Sequence, residues 1–168
     1  MTAKQASGAF KATALGASLK RNNLTLAAAE SCTGGFLSHL FTNIPGSSDW
    51  FKGGVVAYDN AVKTKILGVK ASTIERHGAV SEETAVEMAR GIKKKLDADV
   101  GAAITGIAGP GKGIPGKPVG TVYICVASAR KKTVKKFQFK GARVKIKTLS
   151  ALKAVEMLER FVLRGALK

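Results

Sequence analysis

The sequence is poor in the residues that build metal, disulfide and membrane sites. Its 168 residues include only two cysteines and two histidines. Cys32 and Cys125 lie far apart and form no redox or metal-binding motif. Since His39 and His77 have no partner cluster, we predict no metal site. No apolar run approaches the roughly 20 residues that cross a bilayer, and the amino terminus lacks a signal-peptide core. We therefore expect a cytoplasmic protein that has no membrane contact and no cofactor.

Acidic residues are also scarce, with 11 against 28 basic residues and a net charge of +17. From residue 130 to residue 168 there are thirteen basic and two acidic residues, which carry +11 of that charge. Such a field attracts polyanions and small phosphorylated molecules alike. Aromatic residues are only 6% of the chain, so nucleic-acid binding by base stacking is disfavoured. A third interpretation is that the charge serves only solubility.

The chain is long enough, and at 45% hydrophobic residues apolar enough, to form one domain over residues 1–168. Strands and helices alternate through its first two-thirds, which predicts helices on both faces of a sheet. A hairpin around residues 128–130 follows, so the sheet should be mixed rather than wholly parallel. We predict an α/β fold, a single three-layer α/β/α domain with a mixed, mostly parallel sheet. The predicted strands are 24–29, 53–58, 99–105, 119–127 and 132–139.

Predicted helices occupy residues 6–21 and 144–163, with shorter ones between. Ser81 is expected to cap the helix that follows it, since Glu82 and Glu83 suit a first turn and three lysines suit its last. Asp59 and Asn60 are expected to cap the helix that carries Lys63.

The stretch AESCTGG, residues 29–35, follows the first strand and precedes a helix. The first N–H groups of a helix lack internal partners and attract anions. Ser31 would then lie beside donors for a phosphate, or for the oxyanion formed when a serine attacks a carbonyl. The alternative is a tight turn in which Ser31 or Thr33 caps the helix.

Two further strand ends carry polar groups, and ligands of open α/β sheets bind beyond the carboxyl ends of the strands. Tyr58, Asn60 and Lys63 follow the second strand, and Thr105 with a long glycine-rich loop follows the third. If these strands are neighbours, their loops meet at one crevice. Neither histidine follows a strand, so a Ser-His-Asp triad is disfavoured. A desolvated Lys63 can act as a base instead.

Each of these residues also has an ordinary interpretation. Lys63 can be a solvated surface lysine, Tyr58 a half-buried side chain at the end of the sheet, and the glycine loop an ordinary long turn. The loop matches neither the P-loop spacing nor the dinucleotide-binding pattern. It could still wrap a phosphate with its backbone N–H groups.

Several motifs in order resemble the CinA C-terminal domain family. They are AESCTGG, GGVVAYDNAVKTKILGV, HGAVSEETAVEMARG, ITGIAGPGKG and KPVGTVYI, and they extend over nearly the whole chain. The stand-alone members of this family are nicotinamide-nucleotide amidases. The resemblance implies hydrolysis of nicotinamide mononucleotide, a phosphorylated nucleotide, to nicotinate mononucleotide and ammonia without a metal. It also implies a homodimer.

Matched to the family motifs, Ser31 would be the nucleophile, Lys63 the base and Tyr58 an assisting hydroxyl. Substrate-binding positions would be Thr33, Gly34, Gly35, Asn60, Thr105, Gly106 and Arg143. The resemblance weakens after Phe139. Family members have Gly-Asp-Arg and then a second arginine, whereas this chain has Gly141-Ala142-Arg143 and Lys147. Arginine grips phosphate with two parallel bonds and lysine acts as a point charge, so the substitution alters the expected contact.

The resemblance therefore predicts an amidase of pyridine-nucleotide salvage with a Ser/Lys mechanism. The alternative is a non-catalytic domain that binds a nucleotide or nucleic acid through its basic carboxyl-terminal third.

Overall fold

The computed structural model describes residues 3–163, with side chains from Lys11 onward. The outer ends of the predicted domain, residues 1–2 and 164–168, lie outside the described residues. Within the described part the elements are α1 (Ala3–Arg21), β1 (Leu26–Glu30), α2 (Phe36–Thr42), β2 (Phe51–Val56), α3 (Asn60–Leu67), α4 (Ala71–His77), α5 (Glu82–Lys95), β3 (Val100–Gly106), β4 (Thr121–Ala127), β5 (Lys132–Gln138) and α6 (Arg143–Leu163), with a 3-10 turn at Ser47–Asp49.

These strands form one five-stranded sheet in the order β2-β1-β3-β4-β5. β1 lies between β2 and β3 and is parallel to both, whereas β4 is antiparallel to its neighbours β3 and β5. Four of the five described strands therefore point the same way. The predicted α/β class and the mixed sheet are confirmed. Because β1, β2 and β3 are parallel neighbours, their carboxyl ends share one edge of the sheet.

Helices cover both faces of the sheet and bury two separate apolar clusters. On one face, side chains of α1, α2 and α6, such as Leu15, Leu37 and Leu158, pack against β1, β3 and β4. On the other face, α3 and α5 contribute Leu67 and Met88. Every residue of β1 is buried, as expected for a central strand with both faces covered.

The caps predicted at Asp59 and Ser81 are confirmed, whereas Asn60 is the first residue of α3 and does not cap it. Asp59 accepts a hydrogen bond from the Ala61 N–H (2.7 Å), and Ser81 accepts one from the Thr84 N–H (3.2 Å). Both side chains satisfy donors that the first helical turn leaves unpaired. Predicted boundaries differ from the observed ones by up to three residues; α1, for example, begins at Ala3 rather than residue 6. Among the described helices, none combines the length and the apolar character that a membrane span needs.

Candidate active site

Ser31 lies at the carboxyl end of the central strand β1. Its backbone N–H donates to the carbonyl of Ile104 in β3 (2.9 Å), so its main chain is still held by the sheet. The side chain faces a crevice of about 290 Å³ and the residue is 8% exposed. A serine placed on such a rigid support keeps its orientation when a substrate enters.

The helix start beyond Ser31 is occupied by a carboxylate of the protein itself. Glu30 is fully buried. One of its oxygens accepts from the N–H groups of Gly35 (3.1 Å) and Leu37 (3.0 Å), and the other from the Ser38 N–H (2.8 Å) and hydroxyl (2.7 Å). The expectation that the start of α2 offers these donors to a bound anion is therefore wrong.

The turn between β1 and α2 is closed by glycines. Gly34 (φ 61°) and Gly35 (φ 93°) have the left-handed conformation that a residue with a Cβ rarely adopts. Gly35 directly precedes α2 as its N-cap residue and has no side chain, so the helix start is capped by Glu30 instead. The alternative in which Ser31 or Thr33 caps α2 is wrong, because the chain needs the whole turn to reverse direction before the helix begins.

Two backbone donors next to Ser31 remain available. The Gly34 N–H donates to the Ser31 carbonyl (3.1 Å), which leaves Cys32 and Thr33 as the central residues of a turn. Within the described part of the chain, their N–H groups form no hydrogen bond with another residue. The Thr33 hydroxyl, fully buried, also lacks a partner among the described residues.

Cys32 lines the crevice beside Ser31, but its thiol is unsuited to nucleophilic attack. Burial raises the pKa of Cys32 to about 12, with the nearby Glu30 carboxylate acting in the same direction. The thiolate is the reactive form of cysteine, and at neutral pH almost none is present. The hydroxyl of Ser31 is thus the better candidate nucleophile.

Lys63 is buried, only 2% exposed, in the third position after the start of α3. Its Nζ donates to the backbone carbonyl of Tyr58 (3.0 Å). Burial lowers the pKa of Lys63, against the opposing effects of Asp59 and Cys32, both of which raise it. The alternative of a solvated surface lysine is wrong, because Lys63 and Leu67, one turn apart, form the buried face of α3.

Tyr58 and Arg143 meet at the mouth of the crevice. Tyr58 is 61% exposed, so the alternative of a half-buried tyrosine is wrong. Its hydroxyl accepts a hydrogen bond from Arg143 Nη2 (2.9 Å), and Arg143 Nη1 donates to the Gly109 carbonyl. Arg143, the first residue of α6, therefore joins the loop after β2 to the glycine loop after β3.

Lys147 lies one helical turn beyond Arg143, on the same side of α6. A Cβ atom added to Gly34 would lie 3.4 Å from Lys147 Nζ, so the ammonium group sits over the turn that follows Ser31. The guanidinium thus lines the crevice and the ammonium group lies over the adjoining turn, so both cations can attract an anion towards the site.

The end of β3 forms the back of the crevice. Thr105 is buried, and its hydroxyl donates to the Ala79 carbonyl (2.7 Å), which holds the segment between α4 and α5 against the site. A Cβ on Gly106 would lie 2.7 Å from Val122 Cγ2 and 2.8 Å from the Thr121 carbonyl. Glycine is needed there because β4 passes so close.

Seven of the ten predicted site residues line this crevice: Ser31, Tyr58, Asn60, Lys63, Thr105, Gly106 and Arg143. Thr33, Gly34 and Gly35 form the adjoining turn and do not line it. The glycine-rich loop, which the sequence analysis placed at the crevice, contributes residues 107–110 to its wall. The prediction lacked Cys32, Ala79 and Val80. The motif HGAVS, which contains Ala79 and Val80, indicates a loop but no reactive side chain. The sequence analysis also did not select Glu30, because nothing in the sequence indicates that a carboxylate at the end of an apolar strand will be buried.

Neither histidine lines the crevice. His39 stacks on Phe36, and His77 lies 3.4 Å from a Glu83 carboxylate oxygen. Among the described residues, no three His, Cys, Asp or Glu side chains are grouped closely enough to bind a metal ion. Lys63 is therefore the candidate base that the crevice walls offer to Ser31.

Comparison with known proteins gives one consistent relationship. Residues 9–162 match the model of the CinA C-terminal domain. The chain is 54% identical to a CinA-like protein of Thermotoga neapolitana over 84% of its own length, and 50% identical to a putative competence-damage inducible protein of Thermoanaerobacter pseudethanolicus over 86%. It spans only 35% of the length of each of these relatives.

Solved structures agree with these sequence matches. A competence-damaged protein (CinA) superfamily protein from Escherichia coli has a TM-score of 0.89 and 32% identity, covering 97% of this chain and 93% of its own. A competence/damage inducible protein from Agrobacterium tumefaciens has a TM-score of 0.87 and 35% identity, covering 90% and 93%.

Proposed function

The chain belongs to the CinA C-terminal domain family, and we propose that it hydrolyses the carboxamide of nicotinamide mononucleotide to nicotinate mononucleotide and ammonia in the cytoplasm. The observation that supports this most directly is the pairing of Ser31 with a buried lysine on the walls of one crevice. An amide needs a strong nucleophile and a proton donor for its nitrogen, and a serine with a neutral amine supplies both.

Lys63 starts the reaction as a general base. Burial favours its neutral amine, which can accept the Ser31 proton as the serine oxygen attacks the carboxamide carbon. The carbon–oxygen double bond becomes a single bond, and its electron pair moves onto the carboxamide oxygen. The hydrogen bond of Nζ to the Tyr58 carbonyl fixes the direction of the amine.

The negative oxygen of that intermediate needs hydrogen-bond donors. The N–H groups of Cys32 and Thr33 directly follow the nucleophile and form no hydrogen bond with another residue in the described part of the chain. We assign the oxyanion site to these two groups rather than to the start of α2, where Glu30 uses the donors. Such fixed donors lower the barrier because they are already oriented before charge develops.

Collapse of the intermediate breaks the carbon–nitrogen bond. The Lys63 ammonium returns its proton to the leaving nitrogen, so ammonia departs and an ester to Ser31 remains. Water then attacks this ester, Lys63 takes the proton of the water and passes it to the Ser31 oxygen, and nicotinate mononucleotide leaves. Lys63 is thus base and acid in turn, and no group is consumed.

Arg143 and Lys147 are assigned to the substrate phosphate. Arg143 lines the crevice and Lys147 lies over the adjoining turn, and Arg143 retains further N–H donors after its contacts with Gly109 and Tyr58. Asn60, which lines the crevice without a hydrogen bond of its own side chain in the described part of the chain, is available to the ribose or the carboxamide. Arg143 holds the Tyr58 hydroxyl at the mouth of the crevice, where we assign it an assisting role in the reaction.

The test is ammonia release from nicotinamide mononucleotide by the purified protein and its Ser31→Ala variant. We expect the wild type to release ammonia and nicotinate mononucleotide in equal amounts. Ser31→Ala should lose all measurable activity while its substrate affinity stays within about tenfold, because only the attacking oxygen is removed.

Cys32→Ala is the matched control and should keep most of the activity, since the thiol is protonated at neutral pH and the backbone N–H remains. Activity of Ser31→Ala near that of the wild type would remove the nucleophile assignment. Binding of the nucleotide without ammonia release by the wild type would favour a non-catalytic nucleotide-binding domain.

A further inference from the structure

A second and larger concavity, about 530 Å³, lies between the outermost strand β5 and helix α6. It shares no lining residue with the crevice. It follows β5 from Lys132 to Phe137 at the outer edge of the sheet, whereas Ser31 lies beyond the carboxyl end of the central strand β1. We call it the β5–α6 groove.

The groove exists because α6 does not extend over the last strand. On the opposite face, α5 packs against both β4 and β5. On the α6 face, Phe137 of β5 is only partly covered, and it forms the floor together with Met157 and Phe161. An apolar floor left open in this way is suited to apolar side chains of another molecule.

The rim of the groove is strongly positive. Five cations line it, Lys131, Lys132, Lys135, Lys153 and Arg160, against the single carboxylate of Glu156. Glu156 is already paired with Lys153 (2.7 Å) and Arg160 (2.6 Å), and the hydrogen bond from Lys153 is the main reason that its pKa is lowered. The three lysines of the hairpin and β5 remain for an anionic partner.

The outer edge of β5 also offers main-chain hydrogen bonds. Within the described residues β5 pairs only with β4. The Lys131 carbonyl and the Phe139 N–H both bond inward, towards Ser128 and Gly120. In an antiparallel pair, the main-chain groups of successive residues point alternately towards the neighbouring strand and away from it. Since Lys131 and Phe139 point towards β4, Val134 and Lys136 direct their N–H and carbonyl groups away from the sheet. A chain in extended conformation can bind there as an added strand.

Charge and ring geometry disfavour two other occupants. A second copy would bring another +17 against this rim, and edge lysines oppose such self-association. Base stacking by single-stranded nucleic acid would need open aromatic faces, but the Phe137 and Phe139 rings stack on each other at 5.6 Å, and Lys153 Nζ lies 5.8 Å from the Phe137 ring centre.

We propose that the β5–α6 groove binds an extended acidic peptide segment of a partner protein, which adds to the free edge of β5. Its main chain pairs with Val134 and Lys136. Its apolar side chains on the α6 face cover Phe137 and Met157, and the carboxylates that alternate with them, on the other face of the added strand, meet Lys132 and Lys136. This inference does not depend on the proposed amidase reaction, because the groove and the crevice share no lining residue.

The test measures binding of a fluorescein-labelled peptide of alternating glutamate and leucine to the full chain by fluorescence anisotropy at physiological salt. We expect Lys132→Glu/Lys136→Glu to weaken binding by about tenfold or more, because the attraction of these two lysines for the peptide carboxylates becomes repulsion. The matched control Lys52→Glu/Lys94→Glu makes the same change in net charge at exposed positions outside the groove, and its affinity should stay within about twofold of the wild type.

Hydrogen exchange supplies the second measurement, in which the bound peptide should protect the amides of Val134 and Lys136. Equal losses in the groove and control variants, or no binding of the peptide, would overturn the proposal. So would tighter binding of a single-stranded oligonucleotide that the groove variant abolishes. Ammonia release should be unchanged in the groove variant, so its loss would reveal misfolding rather than a failed site.

Discussion

At the scale of single residues, the burial of Lys63 is the property on which the proposed chemistry depends. A lysine pKa lowered by burial means that the neutral amine is present at lower pH than in a solvated lysine. The rate should therefore rise with pH as Lys63 loses its proton, and the acidic limb of the kcat/KM profile should lie below the usual lysine range. The measurement is the pH dependence of ammonia release by the wild type.

The Lys63→Arg variant distinguishes a lysine that acts as a general base from one that only supplies a positive charge. Arginine stays protonated at any working pH, so this variant should be nearly as inactive as Lys63→Ala, with a loss on the order of 100-fold or more in kcat. Both variants should be compared by circular dichroism, because the buried site must accept the larger guanidinium. A folded Lys63→Arg protein that kept a large share of kcat would make Tyr58 the next candidate base.

Arg143 is expected to act mainly on binding. Loss of a charged contact to a non-reacting phosphate should raise KM by about 10- to 100-fold in Arg143→Ala, with a smaller fall in kcat. The measurement is steady-state kinetics on nicotinamide mononucleotide. Lys147→Ala should raise KM less, since lysine contributes a point charge rather than a bidentate contact. A fall in kcat alone would instead mean that Arg143 matters by holding Tyr58.

At the scale of elements, Glu30 joins β1 to α2 and so shapes the turn that carries Ser31. In Glu30→Gln, an NH₂ group would replace one carboxylate oxygen and face two donors. We expect a loss of about 1–3 kcal/mol in the free energy of unfolding, measured by urea denaturation. Ser38→Ala removes one of the four donors and should cost about 1 kcal/mol or less. Equal stability of Glu30→Gln and the wild type would show that the carboxylate does not hold the helix.

Element boundaries show how closely sequence patterns predict local structure. Ser81 and Asp59 were recognised as caps because polar side chains satisfy unpaired N–H groups wherever a helix starts. Ser31 and Thr33 suggested the same role and do not have it, because Gly34 and Gly35 extend the turn and Glu30 occupies the helix start. No short sequence pattern indicates that a side chain from the preceding strand, such as Glu30, will cap a helix.

At the scale of the whole molecule, the +17 charge predicts weak attraction to any polyanion. We expect duplex DNA to bind weakly and without sequence preference, and its affinity to fall steeply as salt rises. Anisotropy titrations at several salt concentrations measure this. Tight, sequence-selective binding at physiological salt would favour the nucleic-acid alternative.

The homodimer stays a prediction, which light scattering can check.

The sequence by itself determined the α/β class, the mixed sheet, the strand ends that carry Ser31, Lys63 and Thr105, and the family. These follow from local patterns: alternation, helical spacing, turn glycines and short motifs. Side chains such as Ser31 could be chosen because a strand end followed by a polar turn is visible in a short stretch of chain.

Only the tertiary structure decided which of these groups are buried and what they touch. Lys63 is buried on the inner face of α3, and Arg143 reaches Tyr58 although they are 85 positions apart in the sequence. The β5–α6 groove exists because α6 stops short of the last strand. Burial and long-range contact depend on how the helices pack over the sheet, and packing is set by all the elements together rather than by the pattern within any one of them.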